Sequence, residues 1–279
     1  MTSHATDPRP VRRVSAVTAS GAISQDDFDP VVVEAPLSIA VDGKVLATTM
    51  RTPGHDEDLA VGWLGSETDL TARGQIVKIE RDGAAASRAR GIEEAVDTVS
   101  LSVAPSVDIP KPRAYLTSSS CGICSAEVIE ATPQPRAMLQ TEGWQLTPQD
   151  AHAWVEAMRG EQKMFELTGS LHAAAIVSPN GILQVVREDV GRHNAVDKVI
   201  GSAFLSEDYP LTDHTLVVSG RVSYEIVAKA LRACLAAIVA VSGPTTLAVD
   251  LARAHGLVLV GFTRDDRLNV YAGGDRVAP

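Results

Sequence analysis

Two cysteines in a tight pair, Cys121-Gly122-Ile123-Cys124, carry the strongest chemical signal in the chain. A thiolate is the reactive form of cysteine, and a helix N-terminus or a neighbouring cation lowers the thiol pKa. The pair follows Ser118-Ser119-Ser120, whose hydroxyls can hydrogen-bond a thiolate or an anion. Gly122 leaves room for a substrate beside the sulfur. Three chemistries fit this spacing: thiol–disulfide exchange, sulfur carriage as a persulfide, and metal ligation. A structural zinc site ordinarily adds a second close pair. The sequence has no second pair, and the third cysteine, Cys234, lies in an apolar stretch read as the inside of a helix.

Other chemistry-bearing residues fall in loops. Glu188-Asp189-Val190-Gly191-Arg192-His193-Asn194 follows an extended run and opens a helix, so Arg192 and His193 stand where an anion can meet backbone N–H groups. Ser219-Gly220-Arg221-Val222-Ser223 again joins a strand to a helix, the usual place for anion-binding loops in α/β folds. Phe262-Thr263-Arg264-Asp265-Asp266-Arg267 follows the last long apolar run, and its two arginines suit phosphate or a planar heterocycle. His172, at the start of a strand, reads as a hydrogen-bonded core residue and not as a ligand. His55-Asp56-Glu57 upstream of the cysteine pair echoes the H-x-E and P-C-x-x-C pattern of zinc deaminases, although Ser120 replaces the proline. Neither a Walker loop nor a GxGxxG after a strand is present, so ATP and NAD have no sequence support.

The elements that must hold these loops follow from apolar patterning. Two extended runs flank Asp42-Gly43, a hairpin signal. Residues 56–64 have helical spacing with acids at their start. Residues 75–104 read as strands around a charged loop, and 115–117 end a short strand. Helices are expected at 126–131, 148–159, 194–204, 223–233 and 245–254. Strands are expected at 172–178 and 182–187. The runs 215–219, 237–241 and 257–262 are short, apolar and uninterrupted, as in strands covered on both faces. The alternation predicts an α/β layered fold: a mixed sheet with flanking helices, plus a smaller N-terminal β-rich part. We divide the chain into a disordered tail (1–29), an N-terminal part ending in the cysteine loop (30–135) and an α/β domain (136–279).

Composition sets the outer limits. The 279 residues are 45% apolar and 22% charged, which suits a folded globular chain. With 25 basic and 35 acidic residues the formal net charge is −10, unfavourable for duplex nucleic acid. No stretch approaches the roughly 20 apolar residues of a membrane span. The segment after Arg12-Arg13 is too polar for an export core. A cytoplasmic location is expected, where a CxxC pair stays reduced.

Taken together, EAPLSIAVDGK (34–44), MRTPGHDEDLAVGWL (50–64), TSSSCGIC (117–124), FELTGSLHAAAI (165–176), REDVGRHNAVDKVIG (187–201), SGRVSYEIVAKA (219–230) and the segment 244–271 resemble the formate dehydrogenase accessory sulfurtransferase family, FdhD-type. The resemblance runs in order over about residues 30–275. It implies a cytidine deaminase-like fold and a homodimer. It implies a sulfurtransferase that takes sulfur from a cysteine desulfurase as a cysteine persulfide. The acceptor would be the molybdenum or tungsten bis(molybdopterin guanine dinucleotide) cofactor required by the formate dehydrogenase catalytic subunit. On this resemblance the persulfide falls on Cys121, with Cys124 as the second cysteine of the motif. The cofactor-binding segment falls on Phe262, Thr263, Arg264, Asp265, Asp266 and Arg267, and Arg192, His193 and Arg221 are further candidates for the pyrophosphates. No resident metal is implied. The family pattern continues Gly-Lys after the second cysteine, where this chain has Ser125-Ala126. Two other readings stay open: a cofactor-carrying chaperone without sulfur chemistry, and a zinc-dependent deaminase relying on Glu57.

Overall fold

The chain is described by a computed structural model covering residues 5–14, 24–83, 96–109, 116–117, 144–264 and 267–278. Cys121, Cys124, Asp265, Asp266 and the helix expected at 126–131 lie outside the described residues.

The Asp42-Gly43 signal is met by a hairpin of β3 (Ala35–Val41) and β4 (Lys44–Arg51). Both turn residues have positive φ, 46° and 79°, the backbone that matches strand twist in a two-residue turn. With β5 (Ile76–Asp82), β6 (Asp97–Val103) and β7 (Leu116–Thr117) these strands form a five-stranded sheet in the order β5-β6-β3-β4-β7. Helix α1 (Asp56–Glu67) covers it, burying Leu59, Trp63 and Leu64 against Leu37, Ile39, Val99 and Leu101.

The second sheet has six strands: β8 (His172–Val177), β9 (Leu183–Asp189), β10 (Thr215–Val218), β11 (Ala237–Ala240), β12 (Val258–Arg264) and β13 (Arg267–Ala272), ordered β13-β12-β11-β10-β8-β9. Strands β10, β11 and β12 are parallel. Alternation along β8 sends Ala174 and Ile176 to one face and Ala173, Ala175 and Val177 to the other. The first face packs on α4 (Arg192–Leu205), α5 (Tyr224–Arg232) and α6 (Thr246–Ala254). The second packs on α2 (Pro148–Gly160) through Ala151, Val155 and Met158. The short α3 (Lys163–Thr168) follows α2. Apolar cover on both faces is why the central strands read as unbroken apolar runs. The layered mixed α/β fold is as expected from sequence. Among the described residues no helix is long and apolar enough to cross a membrane.

Four expectations are corrected. Residues 1–29 are not simply a tail, because β1 (Thr6–Val14) pairs antiparallel with β2 (Ser24–Val32). The register sets Arg9 opposite Asp29, two residues of opposite charge facing each other across the pair. The segment after residue 262 is not all loop: β12 runs to Arg264, and β13 begins at Arg267 and pairs antiparallel with it. The short helix α3 has no counterpart in the expected elements. Cys234 is buried as expected, but it lies just past α5 in a left-handed conformation (φ 63°).

The two sheets are joined helix to helix. Helices α1 and α4 meet at Gly62 and Gly201, where an added Cβ would overlap the Asp197 and Asp58 carbonyl groups. Only glycine admits that approach. Beside it the carboxylate of Asp197 on α4 is buried, 2.6 Å from Lys229 Nζ on α5, and it accepts the Ser66 hydroxyl of α1 at 3.2 Å. Burial pushes the Asp197 carboxyl up to about 6, against the opposing pull of Lys229. Its charged form is therefore the disfavoured one in the folded protein, and Lys229 is what sustains it above that pH. Lys229→Met is expected to destabilise by about 3–5 kcal/mol at pH 8, where an unpaired carboxylate would be buried. The loss should be smaller at pH 5, where Asp197 is protonated. Urea unfolding midpoints at the two pH values check this.

Candidate functional site

The carboxyl ends of β10, β11 and β12 define one edge of the six-stranded sheet, and the start of β8 and the end of β9 lie along the same edge. Helices α4, α5 and α6 follow β9, β10 and β11, so all three begin there. Helix N-termini and strand carboxyl ends together favour anions.

At one end is the β12–β13 hairpin. Arg264 and Arg267 are register partners across it and both are exposed. Phe262 has φ 53°, a left-handed conformation that is strained for an aromatic residue, and sits where the register shifts between Gly261 and Arg264. Its ring lies over Gly243, in the loop after β11: a Cβ on that glycine would come 2.7 Å from the ring. The Arg264 guanidinium carbon is 5.7 Å from the ring centroid, a cation–π arrangement. Thr263 departs from expectation. Strand alternation turns it away from its exposed neighbours Phe262 and Arg264, and it is fully buried, with no hydrogen-bond partner for its hydroxyl among the described residues. Its side chain therefore lies on the opposite face of the strand from those of Phe262 and Arg264.

The middle of the edge is tied together by backbone. Val222 N–H donates to Gly243 O, and Thr245 N–H donates to Val222 O, joining the loops after β10 and β11. Arg221 projects from the first of these loops and is exposed. His193 does not project. Its Nε2 lies 3.0 Å from both Ser223 Oγ and Glu225 Oε2, and this pairing braces the start of α4 against the start of α5.

At the far end Arg192 opens α4 and Asp189 closes β9. Sequence reasoning set aside one residue here. His172 pairs in register with Asp189, and a Cβ on Gly220 would lie 3.2 Å from its Nδ1 and 3.6 Å from the Arg192 Cβ. Burial and then the Arg192 guanidinium hold the His172 imidazole below its ordinary pKa; Asp189 opposes them and Arg221 adds to them. The signal available in sequence was its place at a strand start beside Gly169-Ser170. A cleft of about 950 Å³ opens above it, lined by residues including Gln162, Phe165, Ser170, His172 and Ser219.

Beneath this end lies a buried polar joint. The Asp189 carboxylate is 2.7 Å from Lys198 Nζ, and it accepts N–H groups from Thr52, Gly191 and the Asn194 amide. Lys198 also donates to the Thr52 carbonyl, and Asn194 to the Met50 carbonyl. The end of β4 in the first sheet is thereby fastened under the Arg192 loop. Arg51, also buried, pairs with Asp56 and Asp97.

Of the deaminase-like pattern only His55-Asp56-Glu57 lies within the described residues. His55 is exposed and pairs with Asp58 at 3.5 Å, Asp56 is buried on Arg51, and Glu57 is exposed. Among the described residues no three His, Cys, Asp or Glu side chains gather as a metal-ligand set.

The family model described as FdhD/NarQ family matches residues 32–278. The chain is 43% identical over 263 residues to a sulfur carrier protein FdhD of Streptomyces coelicolor, covering 92% of each chain. It is 38% identical over 270 residues to the protein of the same name from Mycobacterium tuberculosis, covering 95% of this chain and 97% of the relative. A crystal structure of a protein from Desulfotalea psychrophila, described as a formate dehydrogenase accessory protein, superposes with a TM-score of 0.72 at 23% identity. That superposition covers 97% of this chain and 99% of the other.

Replacing Lys198 by Met leaves the Asp189 carboxylate buried without its cation. The expected cost is about 3–5 kcal/mol of folding stability, read as a lowered denaturant midpoint.

Proposed function

The chain belongs to the FdhD/NarQ family, and on that premise we propose that it is a sulfurtransferase serving a formate dehydrogenase. In this reading Cys121 takes sulfur from a cysteine desulfurase and passes it to the molybdenum or tungsten bis(molybdopterin guanine dinucleotide) cofactor, which is the substrate here and not a resident group. The relatives' name, sulfur carrier protein, supports the sulfur half. The acceptor half is carried by the sheet edge, where three helix starts meet Arg221, Arg264 and Arg267 on a chain of net charge −10. A cationic edge on an acidic protein is a local device for an anion, and a dinucleotide cofactor offers pyrophosphates to it. The exposed Phe262 ring, held over Gly243 beside Arg264, offers a planar apolar surface for a guanine base.

The sulfur step conserves atoms and electrons. The Cys121 thiolate attacks the outer sulfur of the donor's persulfide, the donor S–S bond breaks, and the donor cysteine departs as a thiolate. Cys121 then holds the persulfide. In delivery the S–S bond of the persulfide breaks, its electron pair stays on Cys121 as the thiolate, and the sulfane sulfur bonds through an electron pair supplied by the acceptor in its reduced form. Thiolate chemistry of this kind needs a reducing compartment, consistent with the cytoplasm.

Incubation with a desulfurase and cysteine should add one sulfur atom to Cys121, seen by mass spectrometry. Cys121→Ala should lose that mass and the ability to activate formate dehydrogenase, yet keep cofactor binding. Arg264→Ala combined with Arg267→Ala should keep the added sulfur mass but lower cofactor affinity about tenfold or more, and activation with it. A Cys121→Ala protein that still activates the enzyme would sink the sulfur role and favour a cofactor chaperone.

A further inference from the structure

Strand β9 ends the six-stranded sheet. It pairs with β8, and among the described residues no strand lies on its other side. The register tells which of its backbone groups face out. Ala173 gives its N–H to the Ser219 hydroxyl and its C=O to the Ser219 N–H, on the β10 side of β8. Its partner on β9 is Glu188, and Ala175, in the same phase, is opposite Val186. Antiparallel alternation therefore points the N–H and C=O groups of Val186 and Glu188 away from the sheet. The Val186 carbonyl accordingly accepts the Arg187 guanidinium at 3.1 Å.

A groove of about 580 Å³ runs along this edge. Both helical layers wall it: Ser202 and Ala203 on α4 with Ser206 just past it, and Glu161 just past α2. Val185 leans toward the α4 face of the sheet, Leu183 and Val186 toward the α2 face, and all three are half-buried. An unpaired ladder set between two helical layers has the shape of a slot for one more strand. The register shift at Gln184 and the start of α3, whose N–H groups bind the Glu188 carboxylate, bound the slot. The free stretch spans four residues, about 13 Å at ~3.4 Å per residue.

We propose that the β9 edge docks an extended, basic segment of the formate dehydrogenase catalytic subunit, added as a seventh strand. The charge of the groove sets the chemistry of the segment. Its arginine, Arg187, is neutralised by Asp58 at 2.8 Å. Glu161 has Lys163 at 3.6 Å and Asp208 has His214 at 3.6 Å, yet both carboxylates stay open to solvent, at 55% and 46% side-chain exposure. On a chain of net charge −10 they favour Lys or Arg on the incoming strand. The course of β9 sets the source of the segment. The strand runs from the groove into Asp189 and the start of α4, so a protein lying along it has its body at the carboxyl edge. The inference rests on the reading that the acceptor cofactor is served there to a formate dehydrogenase, and it adds how that client is held. A strand this short gives transient docking, which suits a carrier that must leave.

Residue-resolved hydrogen–deuterium exchange of the intact protein, alone and with an excess of the formate dehydrogenase catalytic subunit, reads the edge directly. The Val186 amide should exchange fast in the free protein and about tenfold or more slowly with the client. Val186→Pro removes the outward donor, and proline is tolerated on an edge strand where the N–H faces solvent. This variant should load sulfur on Cys121 as wild type does, yet activate the client about tenfold less well. Glu161→Lys combined with Asp208→Lys should lose the protection by a second route that leaves the backbone intact. A Val186 amide already slow in the free protein would mean that a second copy or another part of this chain covers the edge, and would overturn the proposal. Unchanged activation by Val186→Pro would do the same. Protection that survives the charge reversal would overturn the basic character of the segment. A wild-type protein that activates the client without protecting Val186 would overturn the docking and leave the functional reading standing, whereas one that activates no formate dehydrogenase would overturn both.

Discussion

The buried ion pair between Asp189 and Lys198 is the constraint on which the site depends. An isolated charge inside a protein costs several kcal/mol, so the pair persists only because every remaining valence is used. Asp189 receives N–H groups from both halves of the chain, and Lys198 reaches the Thr52 and Glu188 carbonyls. The pair therefore couples two things that sequence separates by well over a hundred residues. It closes the end of β4 onto α4, and it fixes the backbone from which Arg192 and His193 start. The arrangement specifies position more than it adds stability, since an apolar pair of the same volume would pack as well but would not fix the loop.

The electrostatics of the carboxyl edge follow from that fixed backbone. A chain with ten more acids than bases has no general attraction for anions. The arginines act only because helix starts and strand ends bring them to one line, and because His193 is engaged by Ser223 and Glu225 and holds the starts of α4 and α5 together. Acidic surroundings then favour a ligand large enough to touch several of these cations at once over a single small ion.

The parts legible in sequence were those governed by local rules. Asp42-Gly43 sets a two-residue turn wherever it stands between extended runs, and the apolar runs at 215–218 and 237–240 have no stable place except a sheet covered on both faces. Arg192 and Arg221 were legible at this edge because strand–loop–helix order alone sends them there, and Arg264 and Arg267 because they follow the last long apolar run. What was not legible depended on distant partners. Arg51 and Lys198 look like surface residues until Asp56, Asp97 and Asp189 are brought to them. The edge strand β13 is half exposed and lacks an apolar run, and α3 is too short to show periodicity. His172 read as core because nothing in its own strand reveals that Gly220 and Arg192 come to lie beside it. Thr263 was placed with its neighbours, although a strand sends alternate residues to opposite faces.

The glycine contact between α1 and α4 has a mechanical corollary. Where Gly62 and Gly201 meet the opposing backbones there are no side chains, hence no rotamers to absorb a displacement. A shift of the first sheet is transmitted to α4 without slack, and a hinge between the halves has no soft layer in which to form. Room for a bulky substrate is therefore more readily made by loops and hairpins at the rim than by parting this contact.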